Sequence, residues 1–309
     1  MNNSKEKIVI TGGSGFLGIN LARKLAESGY GVHIISRNPP KESGNWKHKV
    51  WDANTLGDWI HELDGAKAVV NLAGRSVDCV KTPDNCDVIL RSRVQTTQLI
   101  GQAVRQIKSP PPIWVQMSTA HIYGDSPHAV CTEDSTFGYG FSPFVGQAWE
   151  DAYEKAVLPN MRKVILRTSF VLGRSGGALT RLSLLARLGL GGKVGDGRQG
   201  ISWLHEEDMD RLFIRAITNE EMQGVYIATA PNPVSNATFM RQLRKAVGMP
   251  FGMPSNAWMV KFGASLFLKS DPELALYGRY VVSDRLKAEG FQFSYPEIGA
   301  ALQNIYAKN

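Results

Sequence analysis

The chain has little of what a stapled or metal-bound scaffold needs. Its 309 residues include three cysteines, Cys79, Cys86 and Cys131, an odd number with no Cys-x-x-Cys spacing. That argues against a disulfide framework and offers no cysteine-built zinc site, so no metal is expected. No apolar run approaches the roughly 18–20 residues of a membrane span, and no membrane partner is expected. Residues 1–7 are polar and lead straight into a strand-like segment, unlike a secretory leader. The expected location is the cytoplasm. Charge imbalance is small: 35 Lys and Arg face 28 Asp and Glu, a formal +7. The cations are scattered, with no basic run and no interleaved aromatics. Nucleic acid is therefore not an expected partner, whereas a small anionic ligand is compatible. Internal repeats and low-complexity segments are absent as well.

The remaining composition is that of a globular protein, with 43% hydrophobic and 20% charged residues. The length suits one large domain or two smaller ones of roughly 100–200 residues each. The 31 glycines exceed an average share, and their positions matter.

Hydrophobic periodicity places strands at 7–10 and 31–36, a possible short strand at 49–51, and strands at 66–72, 113–117 and 163–166. Helices are expected from residue 16, at 55–64, at 84–106 and at 144–157. In the first, Leu17, Leu21 and Leu25 share a face. In the third, Leu90, Val94, Thr97, Gly101 and Val104 do so. This alternation over about 165 residues needs crossover helices on both faces of a parallel sheet. The expected class is α/β, a doubly wound parallel sheet of the NAD(P)-binding Rossmann type. After residue 170 comes a glycine-rich stretch at 173–200. A helix at 206–219 and a strand at 224–228 then read as one more unit of the sheet, and helices follow at 236–247, 256–268 and 296–307. We divide the chain into a Rossmann domain, 1–170 with 205–229 returning to its sheet, and a smaller, mainly helical lobe, 171–204 and 230–309. Ligands of open α/β sheets bind at the carboxyl ends of the strands, so the lobe is expected to cover that site.

The run Thr11-Gly12-Gly13-Ser14-Gly15-Phe16-Leu17-Gly18 lies between the first strand and the first helix. That context turns a weak glycine pattern into a dinucleotide-binding signal. Gly12 permits the tight turn, Gly15 lets a pyrophosphate approach the backbone, and Gly18 is expected to pack the helix on the strand. The backbone through Ser14, Gly15, Phe16 and Leu17 is the candidate phosphate cradle at a helix N-terminus. At the end of the second strand an acidic residue would select NAD. Ser36 and Arg37 stand there instead. A guanidinium can pair with a 2′-phosphate, so NADP is the expected cofactor; a surface arginine after a strand is the alternative. Asp52 is either an acceptor for the adenine amino group or an exposed loop residue.

TGGSGFLG at 11–18, NLAG at 71–74, STAHIYGD at 118–125 and GDGRQGISWLHEEDM at 195–209 together resemble an extended short-chain dehydrogenase/reductase. GFQFSYPEIGAAL at 290–302 narrows the likeness to the atypical, NADP-binding epimerase-like branch, often labelled nucleoside-diphosphate-sugar epimerase. The resemblance spans essentially the whole chain. It implies that Leu72, Ala73 and Gly74 run along the cofactor. It further implies that Thr119 hydrogen-bonds the reacting oxygen, and that the backbone at Arg167, Thr168 and Ser169 meets the nicotinamide carboxamide.

Two departures from the wider family stand out. The usual Tyr, with a Lys four residues later, moves the substrate proton and holds the ribose. If Glu150 matches the Glu that commonly follows that Lys, Ser142 and Gly146 occupy the pair's positions. The branch commonly lacks the pair. Tyr153 and Lys155, two residues apart on the helix, read as surface residues. Substitute proton carriers are Tyr139 in its glycine-flanked loop, Tyr123, whose packing role is favoured, and His205. A carboxylate among Glu206, Glu207 and Asp208 could raise the His205 pKa towards neutral, but a structural role, hydrogen-bonded to the next helix start, is favoured. The second departure is Ile201, where nucleotide-sugar enzymes carry a phosphate-binding Arg; Arg174, Arg181 and Arg198 remain candidate anion ligands.

The sequence thus leads to an NADP(H)-dependent oxidoreductase or epimerase-like enzyme acting on a small carbonyl or alcohol, as a monomer or homodimer. Its rival is a non-catalytic NADPH-binding sensor.

Overall fold

Seven short strands joined by six crossovers build one parallel sheet. The computed structural model describes residues 5–256 and 276–307. In chain order the first half comprises β1 (Lys7–Thr11), α1 (Phe16–Glu27), β2 (Gly31–Ser36), β3 (Trp46–Val50), β4 (Ala68–Asn71), α2 (Pro83–Val104), β5 (Ile113–Thr119), β6 (Ser126–Cys131), α3 (Phe141–Ala156) and β7 (Arg162–Thr168). Then follow β8 (Phe170–Leu172), α4 (Leu179–Arg187), β9 (Gly200–Ile201), β10 (Trp203–His205), α5 (Glu206–Thr218), β11 (Gly224–Ala228), β12 (Val234–Ser235), α6 (Asn236–Val247), β13 (Arg279–Val281), α7 (Asp284–Ala288) and α8 (Ile298–Tyr306). The sheet order is β11-β7-β5-β4-β1-β2-β3, with every neighbouring pair parallel. The chain winds one way from β1 to β3 and the other way from β4 to β11. The crevice therefore opens at the carboxyl ends of β1 and β4, where the winding reverses. The fold is a Rossmann-type doubly wound α/β sheet.

Strand periodicity explains why both faces are covered. Ile8 and Ile10 of β1 join Leu21 and Leu25 of α1 and Phe213 of α5 in one core. Val9, between them, points the opposite way and joins Val69, Leu99 and Trp114 in the other. Three two-stranded pairs, β8 with β10, β9 with β12 and β6 with β13, lie outside the central sheet. α6 and α8 extend the first core beyond it.

Several elements differ from expectation. β3 begins at Trp46 rather than at 49. The helix expected at 55–64 is a short 3-10 turn, Asp58–Glu62. Asp52 is the cause: its Oδ1 accepts from the Asn54 and Thr55 amides, both at 2.8 Å, and holds the chain in a turn. Ala53 sits there at φ 65. In α2, Thr97, Gly101 and Val104 are buried, but Ile89 and Ile100 take the place of Leu90 and Val94. The helix is rotated by its contact with α3, where a Cβ on Gly101 would lie 2.6 Å from that of Ala156. Within the glycine-rich stretch, α4 is an unforeseen helix. The helix expected at 256–268 lies, from 257 onward, outside the described residues. Tyr153 is no surface residue: it is fully buried, and its hydroxyl donates to the Trp114 carbonyl at 2.8 Å. Burial pushes its pKa well up.

A buried charge network ties β5, α3 and β7 together. Arg167 Nε and Nη2 donate to the two Glu150 carboxylate oxygens at 2.9 and 2.8 Å, and Ser118 Oγ donates to Oε1 at 2.5 Å. Arg167 Nη1 donates to the Tyr123 hydroxyl at 2.8 Å. The guanidinium is further flanked by the Phe137 ring, 4.9 Å from its centroid. The side chains of Arg167 and Glu150 are only 5% and 11% exposed. Burying both charges costs desolvation, offset only while every hydrogen bond is made. Glu150→Gln removes one charge and leaves the guanidinium uncompensated. We expect it to lose about 3–5 kcal/mol in urea unfolding. A loss below about 1 kcal/mol, the level of an exposed pair, would show that the network is not what joins these elements.

Candidate functional site

The site is built from strand ends. Thr11 closes β1, and its hydroxyl donates to Asn71 Oδ1 at 2.8 Å. Asn71 closes β4, and the same oxygen accepts the Ala73 amide at 3.0 Å. Its Nδ2 donates to Thr97 Oγ1 at 3.2 Å and to Gln116 Oε1 at 3.0 Å. The Leu72 amide donates to the Thr11 carbonyl at 2.9 Å. All of Asn71's side-chain donors and its acceptor oxygen are therefore used, as a fully buried amide requires.

This clamp forces the first loop tightly against the second. Gly12 adopts φ +72, and a Cβ there would lie 2.7 Å from the Ala73 amide nitrogen and Cα. Gly12 is thus required both for its conformation and for the close crossing of the 72–74 segment. Gly18 has a different partner from the one expected. A Cβ on it would lie 2.4 Å from Gly13 Cα, so the helix packs on the turn's own backbone rather than on the strand. Gly15 is the N-cap of α1, has no side-chain cap, and faces open space: a Cβ there would meet only the Gly12 carbonyl, at 3.7 Å. The first turn of α1 carries no acidic residue. An uncapped N-terminus with free N–H groups and room beside them fits an anion. Ser14 and Leu17 flank this turn and are half-buried. Phe16 is covered from outside. Cβ atoms on Gly173 and Gly176 would lie 2.2 and 2.6 Å from its ring, so the 173–177 loop passes directly over it.

At the end of β2, Ser36 is buried and its hydroxyl donates to the Asn38 carbonyl at 2.8 Å. Arg37 is exposed, and no carboxylate pairs with it among the described residues. Asp52 stands near the end of β3. Its carboxylate is committed to its own turn through the Thr55 hydroxyl at 2.7 Å and the two amides described above. These bonds lower its pKa to about 2, the Thr55 hydroxyl contributing most.

The other end of the crevice lies at β5 and β7. Thr119 and Thr168, their last residues, are paired in register. Thr119 Oγ1 accepts from the His121 amide at 3.1 Å, which leaves its proton to donate elsewhere. Thr168 Oγ1 lies 2.6 Å from Met117 Sδ. α3 begins beside them with Ser142 half-buried. A Cβ on Gly146 would lie 3.2 Å from Ile122 and 3.3 Å from Thr119 Cγ2. A side chain at 146 would need these two neighbours to give by a few tenths of an ångström.

The three candidate proton carriers are differently placed. Tyr139 is 98% exposed, just before α3. Tyr123 is buried with its hydroxyl on Arg167, and burial pushes its pKa up to about 12. His205 is buried, its Nδ1 accepts from the Glu207 amide at 3.1 Å as the cap of α5, and its ring lies 4.0 Å from that of Tyr295. Burial lowers its pKa, outweighing Glu206, Asp208 and Glu207. Burial thus opposes the rise those carboxylates would bring, and the capping bond agrees with the structural reading of His205. Of the candidate anion ligands, Arg174 binds the carbonyls of Ile305, Asn304 and Ala307 at the end of α8. Arg181 pairs with Asp78 at 2.7 Å.

One residue at this site was missed from sequence. Arg93 of α2 lies against the 72–74 segment: a Cβ on Gly74 would be 3.3 Å from its guanidinium carbon. The signal was available. Arg91 has Asp87 four residues before it, whereas the neighbours of Arg93 at three and four residues are Leu90, Ile89, Thr96 and Thr97. Among the described residues no helix is long and apolar enough to cross a membrane, and no group of three or more His, Cys, Asp or Glu side chains could hold a metal.

Comparison with known proteins agrees with this geometry. The profile of the NAD dependent epimerase/dehydratase family matches residues 8–228, and that of a domain of unknown function, DUF1731, matches residues 257–305. The Epimerase family protein SDR39U1 of Bos taurus is 34% identical over 308 residues, covering 97% of this chain and 100% of the relative. The crystal structure of human epimerase family protein SDR39U1 (isoform2) with NADPH superposes with a TM-score of 0.86 at 31% identity, covering 97% of this chain and 99% of that one. The nucleoside-diphosphate sugar epimerase from Corynebacterium glutamicum gives a TM-score of 0.78 at 30% identity, covering 98% of this chain and 58% of that one. With the glycine turn, the reversal of winding at β1 and β4 and the paired strand ends already in place, the chain belongs to the NAD dependent epimerase/dehydratase family.

Proposed function

We propose that the protein is an NADP(H)-dependent oxidoreductase or epimerase-like enzyme acting on a small carbonyl or alcohol substrate. The observation that carries this reading is the uncapped N-terminus of α1, open at Gly15, after a strand flanked in the sheet by β2, which Arg37 follows, and on the other side by β4 and then β5, which Thr119 ends. The N–H groups at Ser14 to Gly18 bind the pyrophosphate. Leu72, Ala73 and Gly74 bound the cofactor channel, and Arg37 receives the 2′-phosphate. The NADPH bound by the human relative supports this choice of cofactor. Bound there, the nicotinamide supplies or takes up a hydride. Thr119 donates its hydroxyl proton as a hydrogen bond to the reacting oxygen, and Thr168 borders the nicotinamide end. Tyr139 reaches that oxygen only if its loop turns inward. Asp52, exposed near the end of β3 with a lone pair of Oδ2 still open, accepts from the adenine amino group, and His205 caps α5.

A second reading has its own support. Gly146 stands where the usual lysine is expected, and neither Ser142 nor Gly146 offers an ionisable group. A protein that binds NADPH and reports redox state to a partner would need no more.

Two measurements decide between these readings and test the cofactor. Arg37→Ala should weaken NADPH binding about 10–100-fold, as loss of a charge-assisted hydrogen bond does, and leave NADH binding unchanged. Equal wild-type affinity for the two dinucleotides would refute the 2′-phosphate role. NADPH oxidation followed at 25 °C against a panel of aldehydes and ketones should show turnover with at least one, reduced by Thr119→Val. Tight NADPH binding with no turnover on any carbonyl would favour the sensor.

A further inference from the structure

The strand ends give the cofactor channel a direction. Arg37 follows β2, the phosphate turn follows β1, Gly74 follows β4 and Thr119 ends β5, and these strands are neighbours in that order. A dinucleotide whose 2′-phosphate lies at Arg37 and whose pyrophosphate lies at α1 must pass β4 with its nicotinamide-side phosphate and ribose. Arg93 stands at that point.

Its guanidinium is wedged between Gly74 and Trp149, 5.0 Å from the centre of the indole ring. The indole is itself fixed, since Trp149 Nε1 donates to Thr97 Oγ1 at 3.1 Å. Arg93 Nη1 donates to the carbonyls of Ile89 and Arg75 at 3.0 and 3.1 Å. Among the described residues its Nε and Nη2 find no acceptor, and no carboxylate pairs with it. Burial lowers its pKa to about 10, so it remains a cation at neutral pH. Arg93 is half-buried, and the three N–H groups of its Nε and Nη2 edge are open to a ligand. Arginine suits this task because its planar fork binds phosphate through two parallel N–H groups while its face stacks on an aromatic ring.

We propose that the Nε and Nη2 edge of Arg93 binds the nicotinamide-side phosphate and ribose of NADP(H). The cation that α3 cannot supply from Gly146 is thereby delivered from α2. The proposal rests on the cofactor reading above and assigns Arg93 a binding role separate from that of Arg37.

The test compares two probes by titration calorimetry. NADPH spans the whole channel, whereas adenosine 2′,5′-bisphosphate occupies only the Arg37 side. In Arg93→Met, NADPH binding should weaken tenfold or more while adenosine 2′,5′-bisphosphate binding stays within twofold of wild type. Arg93→Lys should recover part of the NADPH affinity, because it keeps the charge without the fork. If Arg93→Met does not fold, Arg93→Lys carries the same comparison, with a smaller NADPH-specific loss expected. Unchanged NADPH binding would overturn the proposal and leave the cofactor reading intact. Equal loss of both probes would also overturn it, marking Arg93 as structural support for the whole site. Wild-type protein that binds neither probe would overturn the cofactor reading itself, and this proposal with it.

Discussion

The amide of Asn71 is the constraint on which the site depends. It joins the ends of β1 and β4 through Thr11 and Ala73 and is itself held by Thr97 and Gln116. Because it is buried, each of these bonds must be made, and the geometry is correspondingly definite. The clamp brings the 72–74 segment onto Gly12 at a distance only glycine allows. The turn to α1 is then fixed, its helix rests on Gly13 through Gly18, and its first N–H groups open into the crevice. A network of neutral side chains thus aims a helix dipole at the place where an anion is to bind.

The other half of the site depends on a charged network. Glu150 and Arg167 hold α3 against β7, and Ser118 fastens both to the strand that ends in Thr119. α3 approaches the segment after β5 closely enough for Gly146 to touch Thr119. If Gly146 holds the usual lysine's place, the usual means of lowering a tyrosine pKa is missing there. Thr119 keeps its hydroxyl in place with a single accepted amide bond. In the proposed reaction that hydroxyl polarises the substrate oxygen, and the chemistry is what a hydroxyl and the cofactor can do.

The sheet and the phosphate turn were legible in the sequence because both rest on local rules. Short apolar runs alternate with a 3.6-residue period, and the glycines fall between a strand and a helix. Gly12 makes the tight turn its spacing implied, and Gly15 leaves open space beside the N-terminus of α1. Gly18 differs because its neighbour, Gly13, is brought near by the helix rather than by sequence. Tyr153 was misread for a related reason: a helix covered by α2 on one side and the sheet on the other has no wide exposed face, so a two-residue offset from Lys155 says little about burial. His205 shows the limit of reading charges from a string. Three acidic neighbours promise a raised pKa, but burial has the opposite sign and prevails. Arg93 depends on a contact between α2 and the loop after β4, which no periodicity encodes; only its lack of an acidic helix neighbour hinted at it.

A crystal structure of the protein with NADPH tests the account most directly. The account predicts the pyrophosphate on the amides of Ser14 to Gly18 and the 2′-phosphate beside Arg37. It also predicts the nicotinamide ring over the β5 and β7 ends, with the Thr119 hydroxyl within about 3 Å of a carbonyl oxygen placed above C4. A dinucleotide bound away from the N-terminus of α1, or bound in reverse with its nicotinamide at the β2 and β3 edge, would contradict it.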